Sequence, residues 1–313
     1  MSDNSKRLLS AESKHHHESA DGDDRQLLAE LPMNPRAADP ERERHGMNTI
    51  MLERGKNGIA LMTLNRPERL NAITTEWIED MHSALDVLAS DSTVRVVVVT
   101  GAGRGFCAGY DLKHSEAVLK DGDLGQVWEG MLSQERLSAI VKRVHKLPQP
   151  VIAAVNGPAA GAGFALVLAA DLRIAAASAN FHVANARIGL AAGDCGISWL
   201  FPRLVGLARC YELMLTGRPF DASEAERIGL VSRVVPDEML LDTTMELATA
   251  IAANSAFGVR MTKQVVASAL EIASLDVAID MENRTQVLCA LTGDVDEAMH
   301  AFREKRPPRF RQP

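Results

Sequence analysis

The segment V-V-V-V-T-G-A-G-R-G-F-C-A-G-Y-D-L, Val96 to Leu112, sets the tightest limit on the fold. The β-branched run Val94 to Thr100 reads as a strand buried on both faces, and such strands belong to α/β proteins with parallel pairing. It runs into glycines, which let another backbone or a ligand come close because no Cβ intervenes. A second segment, P-V-I-A-A-V-N-G-P-A-A-G-A-G-F-A-L from Pro150 to Leu166, repeats the arrangement. Here glycines and alanines open a helix whose first N–H groups have no internal partner and suit an anion or oxyanion. Each segment also has a plain structural reading, as a turn in the first case and as close helix-to-strand packing in the second. The glycines fit neither a dinucleotide fingerprint nor a phosphate loop.

The rest of the chain alternates in the same manner. Asn48 to Glu53 and Ile59 to Leu64 read as strands joined by a turn at Gly55 to Gly58. Trp77, Ile78, Met81, Leu85 and Leu88 recur at helical spacing, which predicts an amphipathic helix over Thr75 to Ala89. Lys113 to Gln134 has no clear pattern, and a helix then runs to about Lys146. Val151 to Val155 reads as a buried strand, Gly161 to Ala170 as a small-residue helix, and Arg173 to Ala176 and Asn180 to Val183 as short strands. Beyond Gly196 the chain is helical in character. Asp221 or Ser223 can cap a short helix ended by Gly229, and helices follow over 242–253, 257–271, 274–291 and 294–305. Residues 1–46 contain no Phe, Trp or Tyr and read as a disordered extension. The expected division is therefore 1–46 extension, 47–205 α/β core and 206–313 helical region.

Composition narrows the function. The 313 residues carry a net charge of −7, which disfavours a general nucleic-acid binder. Cys107, Cys195, Cys210 and Cys289 lack C-x-x-C spacing, so neither a disulfide framework nor a zinc site is expected, and a cytoplasmic location fits. The triplet His15 to His17 stands alone in the extension and predicts no metal site. The apolar stretch Pro158 to Ala170 is too short to span a bilayer, which needs about 20 residues.

Together the two Gly-rich segments resemble the paired signatures of the crotonase superfamily, the enoyl-CoA hydratase/isomerase family. L-N-R-P-E-R-L-N-A-I (Leu64 to Ile73), A-D-L-R-I-A (Ala170 to Ala175), E-L-M-L-T-G-R-P-F-D-A-S-E-A-E-R-I-G-L-V (Glu212 to Val231) and the terminal F-R-E-K-R-P-P-R-F extend the resemblance over Asn48 to Phe310. It implies a spiral of repeated ββα units, a C-terminal helical region that builds a homotrimer or hexamer, and an acyl-CoA thioester as substrate. No separate cofactor is implied, coenzyme A being part of the substrate. Two backbone N–H groups would hold the thioester oxygen: Ala108 of F-C-A-G, and Ala162 or its neighbour Gly161 of the G-A-G turn. Further substrate contacts would come from Arg66, Arg69, Gly109, Tyr110, Asp111 and Leu112, with Asp111 bracing the loop.

The family's hydratases use two glutamates, one to activate water and one to supply a proton. The matching positions here are Ala165 and Asn185, and an amide cannot exchange protons near neutral pH. Asp194, in G-L-A-A-G-D-C-G-I-S-W, resembles the catalytic aspartate of isomerase-type members, with an extra Gly193 in the register. Its alternative role is to cap the following helix. Cys107, Cys195, His114 and His182 lie near these motifs, but none forms a recognisable nucleophile and base pair. The reading is an enzyme that stabilises a thioester enolate and isomerises or hydrates an enoyl-CoA, with a catalytically silent acyl-CoA-binding or scaffold member as the alternative.

Overall fold

The computed structural model describes residues 43–55, 57–111 and 124–311. The chain begins with strands β1 (Glu43–Gly46), β2 (Ile50–Arg54) and β3 (Ile59–Leu64), then helix α1 (Thr75–Ser90), strand β4 (Val96–Gly101) and helix α2 (Leu124–Lys146). Strands β5 (Val151–Val155) and β6 (Ala159–Ala160) lead into helix α3 (Ala162–Ala169), followed by β7 (Leu172–Ala176) and β8 (Asn180–His182). Helices α4 (Ile197–Val205) and α5 (Leu207–Thr216), strand β9 (Phe220–Asp221), helix α6 (Ala222–Arg227) and strand β10 (Arg233–Val235) come next. Helices α7 (Leu240–Ala252), α8 (Ala256–Ala269), α9 (Leu275–Ala290) and α10 (Asp294–Glu304) close the chain.

A seven-stranded sheet runs in the order β1-β2-β3-β4-β5-β7-β10. β1, β2 and β3 pair antiparallel, while β3-β4-β5-β7-β10 are all parallel. Strand periodicity accounts for the double burial. Val97, Val99, Val151, Ala153 and Val155 enter one core with Trp77, Met81 and Leu85 of α1, and Val96, Val98, Ile152 and Ala154 enter a second with Leu240 and Ala248 of α7. A smaller sheet, β6-β8-β9, carries Phe181 and Phe220 into the first core, where they pack with Phe164 and Phe201.

Several expected boundaries shift. Glu43–Gly46, assigned to the extension, pairs with β2 through Glu43 and Arg54 at one end and Gly46 and Met51 at the other. Its polar sequence has no apolar alternation, but an edge strand needs only backbone pairing on one side. Arg233–Val235, within the region expected to be helical, is a parallel edge strand against β7. The two short strands β7 and β8 lie in different sheets. The patternless stretch Lys113 to Gln134 contains the start of α2 at Leu124, and its earlier part lies outside the described residues, as do Leu112 and His114. Asp221 is the cap of α6, its Oδ1 accepting the Glu224 N–H at 2.7 Å. Among the described residues no helix is long and apolar enough to cross a membrane.

Candidate active site

β4 and β5 are adjacent and parallel, so the two Gly-rich segments leave the same edge of the sheet, where open α/β sheets place their ligands. Two asparagines fasten these exits together. Asn71, fully buried at φ 57°, accepts the Arg66 N–H through Oδ1 and donates through Nδ2 to the carbonyls of Ala102 (3.0 Å) and Gly105 (2.8 Å). Asn156 receives the Gly101 N–H at 3.1 Å and donates to the carbonyls of Gly101 and Gly103, both at 2.9 Å. Neither was singled out in the sequence, although an asparagine after an arginine-rich turn or at a strand end is a recurrent loop staple.

The loops then approach each other closely. Cys107 and Ala159 form a parallel bridge, and the Ala160 N–H donates to the Cys107 carbonyl at 2.9 Å. Gly109 has φ +85°, and a methyl added to it would lie 2.7 Å from the Ala160 carbonyl oxygen and 3.7 Å from the Ala162 nitrogen. Gly109 is thus the residue through which the first loop touches the entrance of α3.

The expected oxyanion donors differ in their state. Gly161, at φ 51° as the N-cap of α3, donates its N–H to the His182 carbonyl at 3.1 Å. Ala162 is the first residue of α3, and its N–H has no acceptor among the described residues. Of the two candidates in the G-A-G turn, geometry therefore favours Ala162. The Ala108 N–H donates to the Leu70 carbonyl at 2.9 Å, so a substrate oxygen would have to compete with that bond.

Asp194 and Asn185 come together. From His182, whose carbonyl holds Gly161, the chain reaches Asn185 three residues later, a span of at most about 10 Å. Asn185 is buried, and its Nδ2 donates to Asp194 Oδ2 at 3.3 Å. Gln134 of α2 donates through Nε2 to Asp194 Oδ1 at 2.6 Å. The capping alternative for Asp194 is not what the structure shows. The N-cap of α4 is Gly196, without a side-chain cap, and Asp194 meets the Ile197 N–H with its backbone carbonyl. Ala165, at the position of the first hydratase glutamate, is fully buried and brings no polar group.

The remaining predicted residues fall into two groups. Arg66 is turned inward: it donates to the Ala72 carbonyl and pairs with Asp111 at 3.5 Å, so it braces the loop and does not present itself to a phosphate. Asp111 is buried, and its N–H donates to the Ile73 carbonyl at 3.0 Å. Arg69 is exposed on the 3-10 turn Pro67–Arg69, with no ion pair among the described residues, and Tyr110 is also exposed. Arg104, which the sequence reading passed over, is exposed between Gly103 and Gly105, both of which pack on the Pro67 to Leu70 turn.

The thiols are unsuited to nucleophilic chemistry. Burial pushes the Cys107 thiol up to about 12, and burial together with the neighbouring Asp194 carboxylate raises that of Cys195. His182 is tied through Nε2 to the Gly217 carbonyl at 2.6 Å. Among the described residues no cluster of His, Cys, Asp and Glu could hold a metal ion. An apolar cleft of about 900 Å³ between α3, α4 and α8, lined by Leu168, Trp199, Leu200, Val259 and Val266, contains none of the predicted site residues.

Comparison with known proteins places this arrangement. The profile of the enoyl-CoA hydratase/isomerase family matches residues 54–313. The chain is 43% identical over 268 residues to the probable enoyl-CoA hydratase EchA12 of Mycobacterium tuberculosis, covering 85% of this chain and 94% of that one. It is 42% identical over 267 residues to the 1,2-epoxyphenylacetyl-CoA isomerase of Escherichia coli, covering 84% and 99%. A crystal structure of a probable enoyl-CoA hydratase/isomerase from Mycobacterium abscessus superimposes with a TM-score of 0.77 at 41% identity, covering 84% of this chain and 99% of that one. With matching profile, sequence relatives and fold, the chain belongs to the enoyl-CoA hydratase/isomerase family of the crotonase superfamily.

Proposed function

We propose that this protein enolises an acyl-CoA thioester and moves one proton along its acyl chain, migrating a double bond in preference to adding water across it. The observation that carries this reading is the Asp194 carboxylate, held by the side chains of Gln134 and Asn185 instead of capping a helix. Hydration by the family's two-carboxylate route needs a second acid or base, and Ala165 and Asn185 supply neither. A single carboxylate is enough to take a proton from one carbon and return it to another.

The charge that develops on the thioester oxygen would be met by the Ala162 N–H at the start of α3, joined by that of Ala108 once it leaves Leu70. Donors aimed at a developing oxyanion in a water-poor site contribute about 3 to 4 kcal/mol each to the barrier. The coenzyme is a polyanion and the chain carries −7 overall, so its phosphates need local cations; Arg69 and Arg104 are the exposed arginines beside the loop. Val127, Trp128 and Met131 of α2 with Ile188 and Leu190 offer exposed apolar surface to the acyl chain.

Homo-oligomerisation belongs to the same proposal. α8 and α9 bury no residue in the single chain, while Leu270, Leu275, Leu291 and Phe302 are 64% or more exposed. Such apolar surface along α8 to α10, together with the cleft beside α8, suits other copies of the chain; sedimentation velocity would give a trimer or hexamer if so, and a monomer otherwise.

A second reading, a silent acyl-CoA binder, draws on the engaged Ala108 N–H and on Ala165. The two are separated by offering 2-enoyl- and 3-enoyl-CoA thioesters of several lengths and following hydration and double-bond migration. Migration abolished in Asp194→Asn supports the enzyme. Calorimetric binding without any turnover supports the silent binder.

A further inference from the structure

The residue that most closely controls Asp194 is marked by no motif. Gln134 lies on α2, sixty positions away in sequence, and its Nε2 is 2.6 Å from Asp194 Oδ1 and 3.7 Å from the Cys195 sulfur. Asn185 reaches the other oxygen, Oδ2, at 3.3 Å. Each carboxylate oxygen thus accepts one amide N–H, but the two bonds are unequal: the first is short and the second at the long end of a hydrogen bond.

No cation pairs with Asp194 among the described residues. Several charged and titratable groups on the surrounding elements are engaged elsewhere. On α2, Arg136 pairs with Glu79, and His145 meets the edge of Trp199. On α4, Arg203 lies over the Trp199 ring, and on the turn after β8, Arg187 lies along Gly217. The titratable neighbour that does face Asp194 is the Cys195 thiol, which burial keeps protonated. Two neutral amides therefore hold the carboxylate, and among the described residues no guanidinium or ammonium occupies its oxygens.

We propose that Gln134 is the positioning residue of the active-site carboxylate, fixing Asp194 Oδ1 so that the loosely held Oδ2 is the oxygen that accepts the substrate proton. The inference rests on Asp194 being the base. In the step it implies, the α C–H bond breaks, its electron pair passes into the enolate, and the negative charge moves to the thioester oxygen. The proton sits on Oδ2 until it returns to carbon at the γ position. Throughout, the Gln134 amide remains a donor to Oδ1 and keeps the group oriented.

The test uses the full-length protein with butyryl-CoA in deuterium oxide, following α-proton exchange by NMR as a function of thioester concentration. Gln134 is exposed on its helix, so its variants are expected to fold, and melting curves check this. Gln134→Leu should lower kcat for exchange about tenfold with KM unchanged, as loss of the short hydrogen bond that orients the carboxylate implies. Gln134→Glu, which replaces the amide donor by an acceptor, should lower kcat at least as far, again with KM unchanged. A fall in exchange that comes from a raised KM in both variants, or exchange that stays at the parent level, overturns the positioning role. Asp194→Asn is measured alongside. If it exchanges as fast as the parent, the base assignment itself has failed, which is a different result from a normal Asp194 dependence with no effect of Gln134.

Discussion

Gly109→Ala probes the close approach between the two loops. Two costs can be worked from the structure. The residue sits at φ +85°, where an L side chain loses about 1 to 2 kcal/mol. The added methyl would also lie 2.7 Å from the Ala160 carbonyl oxygen, and moving it out to the ~3.3 Å of a tolerable C···O contact requires a shift of about 0.6 Å. The groups that must yield are the backbone of Ala108 to Tyr110 or that of Ala160 to Ala162, the segments that carry the proposed donors. Displacements approaching 1 Å at a reacting centre cost up to about 100-fold in rate. The expected outcome is a loss of roughly 10- to 100-fold in kcat for α-proton exchange, with a melting temperature lowered by about 2 to 8 °C. Gly229→Ala is the control: its φ is +77°, but its methyl would meet only the Leu204 carbonyl at 3.8 Å, so it shares the backbone cost without the clash. Equal exchange rates in the two variants, at matched fractions folded, would refute the claim that this approach builds an oxyanion site.

Asn71→Ala should destabilise the fold by about 1 to 3 kcal/mol in urea titration, since it strands the half-buried Ala102 carbonyl and the Arg66 N–H and leaves the Gly105 carbonyl only its longer bond from Asn156. Arg69→Ala should raise KM for acyl-CoA several-fold at unchanged kcat, with the difference shrinking at high salt, whereas Arg66→Ala should instead loosen the loop and lower the melting temperature. The unfolded Cys107 thiol titrates near ~8.5 and the folded one at about 12, raised by burial. A raised folded value means that its contribution to stability is complete below pH ~8.5 and is lost as the pH climbs through that window. Cys107→Ala should flatten the alkaline decline in stability, and alkylation of the native protein at pH 8 should spare Cys107 and Cys195.

How far the sequence revealed this arrangement depended on whether the determinants were periodic or pairwise. β3 and β5 are short apolar runs and α1 carries helical spacing, and their expected ranges match the structure to within a residue. The capping role of Asp221 was legible because an acidic residue follows at the third position of the helix. β1 and β10 were not legible, because a short edge strand is defined by the partner it meets and not by its own composition. The site divides in the same way. Asn185 and Asp194 were each picked out by motif position, whereas Gln134 is joined to them only by the packing of α2. Arg66 looked like a phosphate ligand because a charge near a loop carries no sign of direction; its turn toward Ala72 and Asp111 is a tertiary event.

The central claim is that one carboxylate, Asp194, moves the substrate proton. The most direct measurement is α-proton exchange of a saturated acyl-CoA in deuterium oxide, comparing the parent with Asp194→Asn at saturating thioester. The substitution keeps the shape and the partners Gln134 and Asn185 within reach but removes the basic oxygen. The account predicts exchange by the parent and a loss of at least about 100-fold in the variant, the lower range of general-base catalysis. Exchange at the parent rate in Asp194→Asn would contradict it.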